Sequence, residues 1–178
     1  CMPPGEGWWR LRITSPYICA KARRREKGKR QMVIRELRPE DVEPLSIIEA
    51  KAFSMPWSAE DFAGLIRDRN SLYLVAEVDG RVVGSCGVTN VSGDGEIDNV
   101  VVDEAYRNRG IATAMLEETL RRGYAMGVEA FTLEVRVSNA PAIHLYEKAG
   151  FVSEGIRPRF YEKPVEDALI LWKRDKKG

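Results

Sequence analysis

Arg107-Asn108-Arg109-Gly110-Ile111-Ala112 directly follows the apolar run Val100-Val101-Val102 and opens a long helical pattern. A helix start presents unpaired backbone N–H groups and the positive end of its dipole. A glycine there lets an anion approach the main chain, and two arginines at the rim add charge, so the turn suits phosphate. It lacks the Lys-Ser/Thr pair of a Walker loop and the glycine spacing of a dinucleotide fingerprint. The expected ligand is therefore a pyrophosphate held mainly by backbone. Taken in isolation, the turn reads equally well as a surface loop with scattered arginines.

Four other side chains invite a chemical reading. In "FTLEVRV", Phe131, Leu133, Val135 and Val137 share one strand face, and Thr132, Glu134 and Arg136 the other. A mid-strand carboxylate facing a cleft can accept a proton through water. Spacing alone favours the plainer version, a solvent-facing Glu134 paired with Arg136. Tyr146 is either a phenol for chemistry or a core aromatic in step with Ile143. Cys86, in "VVGSCGV", reads as a buried strand thiol with no base nearby in sequence. His144, the sole histidine, reads as a surface helix residue.

The elements that must position these groups follow from Met32 onward. "MVIRELR" alternates as a strand, and "RPEDVEPLSIIEAKAF" is a helix opened by Pro39, Glu40 and Asp41. "MPWS" interrupts, and Ser58 caps a second helix with an acidic first turn. Asp79-Gly80 joins two β-branched runs as a hairpin. "GEIDNVVVD" is a strand, 111–126 a long helix, and "AFTLEVRV" a strand. "NAPAIHLYEKAG" is a short helix with Asn139 as N-cap and Gly150 as left-handed C-terminal cap. "FVSEGIRPRFY" and "EDALILWKR" close the chain as strands. The order β-α-α-β-β-β-α-β-α-β-β implies a mixed α/β layer without internal repeats.

The net charge of +1 conceals an asymmetry. Residues 1–31 carry nine basic and two acidic side chains, a charge of +7, which leaves −6 on 32–178. The first stretch reads as a basic N-terminal extension, flexible or upstream-derived, with Met32 as a plausible start. A nucleic-acid- or ribosome-contacting arm is the competing reading. An acidic body steers cationic partners toward itself. No apolar run reaches the roughly 20 residues of a membrane span. Cys1, Cys19 and Cys86 are widely spaced and odd in number, which suits neither a disulfide framework nor a zinc site. A cytoplasmic protein without a metal is expected.

"VVVDEAYRNRGIATAML" resembles the acetyl-coenzyme A site of the GNAT acetyltransferases, whose signature Arg/Gln-x-x-Gly-x-Gly/Ala falls on Arg107, Gly110 and Ala112. "LEVRVSNAPAIHLYEKAGF" is more specific and is similar to the RimI-type N-terminal protein acetyltransferases, as are "MPWS" and "FYEKPVEDALIL". The likeness runs from about Met32 to Lys173. It implies the GNAT fold, a central mixed, mostly antiparallel sheet of about seven strands flanked by about four helices, over 32–178. It implies acetyl-CoA as co-substrate, with Arg107, Asn108, Arg109, Gly110, Ile111 and Ala112 at its pyrophosphate. Val100, Val101 and Val102 would offer backbone to the pantetheine arm, and Asn139 a further contact.

The same resemblance makes Glu134 the general base and Tyr146 the general acid, and places Trp57, Tyr161 and Asp167 in the walls of a peptide groove. The expected reaction is direct, sequential acetyl transfer to the α-amine of a protein or peptide N-terminus, a ribosomal protein being the family's target type. Neither membrane nor nucleic acid is needed. An α-amine, with pKa about 8, is roughly 3 kcal/mol easier to deprotonate at neutral pH than lysine at about 10.4, so a modest base suffices. Phenol-to-thiolate proton transfer is uphill by about 1.5 units, so Tyr146 would act chiefly by hydrogen bonding. Phe160 and Pro164-Val165 depart from the usual "YY…GEDA" hairpin, so the preferred first residue is not carried over. Transfer to lysine or small amines, and a coenzyme-responsive binding module, remain the alternatives.

Overall fold

The computed structural model describes residues 31–174. Residues 1–30 of the expected extension, including Cys1 and Cys19, lie outside the described residues. Seven strands form one sheet: β1 Met32–Glu36, β2 Ser71–Val78, β3 Arg81–Val91, β4 Asp94–Val102, β5 Ala130–Arg136, β6 Val152–Glu162 and β7 Val165–Arg174. Their spatial order is β1-β2-β3-β4-β5-β7-β6, antiparallel throughout except for β4 against β5. Four α-helices flank the sheet: α1 Val42–Ala52, α2 Ala59–Leu65, α3 Ile111–Ala125 and α4 Ala140–Lys148.

Local chemistry accounts for the element ends. Asp79 and Gly80 have φ of 52° and 82°, the two left-handed residues that a tight hairpin requires. Ser58 accepts the Asp61 N–H, and Asp61 in return accepts the Ser58 N–H at 2.7 Å, closing a capping box. Asn139 Oδ1 accepts the Ala142 N–H, and Gly150 is left-handed after α4. The first helix starts later than expected. Pro39–Asp41 form a 3-10 turn, and α1 begins at Val42. Asp41 holds that turn by accepting the Arg38 N–H and both Arg35 Nη groups.

Two cores sandwich the sheet. On one face α3 and α4 cover a cluster including Leu74, Ile97, Val102, Met115, Phe131, Leu133 and Tyr146. On the other, α1 and α2 cover Leu45, Phe62, Tyr73, Val75 and Val101. Phe131, Leu133 and Val135 belong to the α3 side, so Thr132, Glu134 and Arg136 face the α1 side, as the alternation predicts.

Candidate active site

β4 and β5 pair over three residues only, Asp94↔Ala130, Gly95↔Phe131 and Glu96↔Thr132. Beyond them β4 keeps β3 and β5 keeps β7, so the edges of Ile97–Val102 and Leu133–Arg136 that face each other carry no ladder bonds. A bulge accompanies the divergence. Val88 pairs with Ile97 but Cys86 pairs with Val100, so β4 has one residue too many. Ile97 and Val100 both pack toward α3, while Asp98 and Asn99 both turn to the α1 side, against Thr89 and Glu49. The cleft thus offers main-chain N–H and C=O groups outside the β4–β5 ladder, which an amide-bearing ligand can satisfy as a strand would.

One end of β4 runs into the arginine turn. Gly110, at φ 75°, is the N-cap of α3 and has no side chain to accept the first-turn N–H groups, and that turn holds no acidic residue. A Cβ at Gly110 would meet no heavy atom within 4 Å, so the approach is open. Arg107 Nε donates to the Val102 carbonyl at 3.2 Å, and Arg109 Nη2 to the Ala105 carbonyl at 2.7 Å. Arg109 also lies 5.0 Å from the Tyr106 ring centroid. Both guanidinium groups are anchored by the loop backbone, with N–H groups left over. Buried Ile111 and partly buried Ala112 pin the helix start to the core, while Asn108 is exposed at φ 59°. A cavity of about 370 Å³ between α1 and this loop is lined by Ile48, Lys51, Val102, Asp103 and Arg107, among others.

Glu134 lies on β5 where the strands have parted. Its Oε1 accepts Arg157 Nη1 at 3.0 Å, and its carbonyl accepts the Tyr161 hydroxyl at 3.2 Å. The expected Glu134–Arg136 pair is not formed. Arg136 instead bonds Glu166 and the Lys163 and Pro164 carbonyls, and stacks 4.1 Å from the Tyr161 ring centroid. The β6–β7 hairpin outcompetes a same-strand neighbour because it supplies several acceptors at once.

Tyr146 belongs to the core on the α3 side. It is buried, packs on Phe151, and among the described residues its hydroxyl has no hydrogen-bond partner. Burial holds its pKa well above the usual phenol value, so the group is a neutral O–H donor. Cys86 is fully buried and burial pushes its thiol up to about 12, which agrees with a structural role. His144 is exposed on α4.

The residues expected to line a peptide groove fall on separate elements, Trp57 just before α2 and Tyr161 and Asp167 on the β6–β7 hairpin. Trp57 is half-buried and packs 5.7 Å from both Phe62 and Tyr73. Asp167 Oδ1 accepts the N–H of Arg159, a residue at φ 54°, so this carboxylate shapes the β6 irregularity. Tyr161, through Glu134 and Arg136, ties that hairpin to β5.

Known proteins share this fold. Residues 34–151 match the model of the Acetyltransferase (GNAT) family. The chain is a GNAT acetyltransferase. The Escherichia coli K12 [Ribosomal protein bS18]-alanine N-acetyltransferase is 33% identical over 70% of this chain and 84% of its own length. A Sulfurisphaera tokodaii N-alpha-acetyltransferase is 33% identical over 82% of this chain and 94% of its own. The crystal structure of the Escherichia coli ribosomal-protein-S18-alanine N-acetyltransferase superposes with a TM-score of 0.74 at 31% identity, covering 81% of this chain and 94% of that one.

As a GNAT enzyme the protein is an acyltransferase using acetyl-CoA. Its own residues fit that co-substrate: an uncapped helix start and two cations for diphosphate, an open strand edge for the amide-bearing arm. Among the described residues no group of three or more His, Cys, Asp or Glu is placed to hold a metal, and no helix is long and apolar enough to cross a membrane.

Sequence reasoning missed four residues near the cleft. Arg157 reaches Glu134 from β6, across the intervening β7. Asp98 and Asn99 occupy the bulge. Glu49 is fully buried on α1 beside Asn99. Only Glu49 carried a signal: it follows Leu45 by four positions and therefore sits on the apolar stripe of its helix.

Proposed function

We propose that this acetyltransferase modifies the N-terminal α-amine of a protein, of the ribosomal-protein type, by direct transfer. The observation that supports it best is the placement of Glu134. It stands on the open edge of β5, on the α1 side, the same side as Trp57, with the β6–β7 hairpin bonded to it through Arg157 and Tyr161. A peptide end laid between those walls would bring one amine to the cleft.

The residues divide the work by their chemistry. Bound acetyl-CoA supplies the thioester acyl group. The α3 N–H groups, Arg107 and Arg109 hold its diphosphate, with Asn108, Ile111 and Ala112 shaping the turn. Val100, Val101 and Val102 orient the arm through their main chain, and Asn139, which caps α4, adds a further contact to the coenzyme. Glu134 takes the amine proton on a carboxylate oxygen, through water. Tyr146 donates its O–H hydrogen bond toward the leaving sulfur, and its raised pKa makes that bond, rather than full proton transfer, its contribution. Trp57, Tyr161 and Asp167 set the groove's shape.

Mass spectrometry of an N-terminal peptide library incubated with acetyl-CoA tests the reading. Acetyl groups confined to α-amines support it. Acetylation of lysine side chains or of small amines, with α-amines untouched, overturns it.

A further inference from the structure

Glu49 Oε1 is, among the described residues, the one buried carboxylate oxygen without a hydrogen-bond partner. The residue is 0% exposed on the third turn of α1, between the apolar positions Leu45 and Ala52. A leucine there would match the packing of its neighbours at no desolvation cost. The carboxylate instead meets two elements. Its Oε2 accepts Asn99 Nδ2 at 3.1 Å, at the β4 bulge. The backbone N–H of Trp57 favours the charged form of the same carboxylate without closing a hydrogen bond to it. Asn99 immediately precedes Val100 on the open strand edge, and Trp57 directly precedes the N-cap of α2.

We infer that Glu49 is a positioning residue, tying the α1–α2 wall of the peptide groove to the β4 bulge so that the incoming amine meets the donor strand in register. This rests on the reading above that the acceptor is a peptide N-terminus. Glu49 touches no substrate in this scheme. It acts through Asn99 and Trp57, and its loss disturbs the acceptor side while sparing the diphosphate turn.

The test compares the wild-type protein with Glu49→Leu, Glu49→Gln and Asn99→Ala, using an Ala-initiated peptide and calorimetric titration of CoA. Glu49→Leu fills the volume and removes the acceptor. It is expected to fold normally, to raise peptide KM about tenfold, and to leave CoA affinity within about twofold. Glu49→Gln, which keeps an acceptor for Asn99, is expected to recover most of that loss. Glu49→Leu and Asn99→Ala combined are expected to do little more than Glu49→Leu alone, because both remove the Glu49–Asn99 bond. Hydrogen exchange adds a readout independent of turnover: amides of 55–58 exchange faster in Glu49→Leu, and those of α3 do not. An unchanged peptide KM in Glu49→Leu, or equal losses of peptide and CoA binding, overturns the proposal. Failure of the wild-type protein to acetylate the peptide would instead sink the functional reading on which it stands.

Discussion

Arg157 and Glu134 form an ion pair, Nη1 to Oε1 at 3.0 Å, that reaches from β6 to β5 over the strand between them. The guanidinium is 54% exposed, so the pair contributes little to stability, of order 1 kcal/mol or less. Arg157→Ala is therefore expected to shift Tm by only a few degrees at most, as read by thermal denaturation. A loss well beyond that would mean that the pair holds the hairpin in place.

Removing the carboxylate itself is expected to be costly. Glu134→Gln should lower kcat by about 10²–10⁴-fold, the usual range for a lost general base, with CoA affinity unchanged. Tyr146→Phe should act in the same direction and less severely. Steady-state rates alongside calorimetric titration separate turnover from binding. Full activity in Glu134→Gln would remove Glu134 from the reaction.

Direct transfer predicts that the thiol of Cys86 is dispensable. Cys86→Ala should keep kcat within a few-fold, at a stability cost of about 1 kcal/mol for the small cavity. In the native protein the buried thiol should resist alkylation until denaturant is added, as peptide mapping by mass spectrometry would report. An acetylated Cys86 peptide, or an inactive Cys86→Ala, would indicate a covalent route.

Glu49 gives a signed prediction for pH. Desolvation, against the favourable Trp57 N–H and Asn99 amide, raises its pKa to about 7 from 4.5. Tyr73 and Asp98 face the same region and bring no positive charge, and burial also raises Asp98, to about 6. A carboxyl whose folded pKa is raised binds more protons folded than unfolded, so its contribution falls as pH rises from about 4.5 to 7 and stays low above. Glu49→Gln removes that slope. Urea denaturation across this window should show the variant gaining on wild type with rising pH, by up to about 3 kcal/mol at about 1.4 per unit. A pH-independent difference would contradict it.

Much of this was legible in the sequence because it is local. Asp79-Gly80, Ser58 and Asn139 declare their turns and caps through their own backbone and side-chain chemistry. The face of β5 that carries Glu134 follows from simple alternation. What escaped depends on distant partners. Asp98 and Asn99 share a face only because β4 bulges against β3, which alternation cannot show. Arg157 finds Glu134 only once β7 has inserted between β5 and β6. Arg136 was the obvious partner by spacing and lost to the hairpin carbonyls.

Gly110 tests the phosphate turn. A Cβ there would meet open space, but at φ 75° a β-branched residue is strained by about 1–2 kcal/mol. Gly110→Val should therefore weaken CoA binding about tenfold by calorimetry while the fold persists.

Hydrogen exchange with and without CoA tests the central claim most directly, namely that the open edge of β4 and the start of α3 form the coenzyme's seat. Adding CoA should protect the amides of 100–102 and 110–114 above all others. Protection confined to other segments, or none at saturating CoA, would contradict the account.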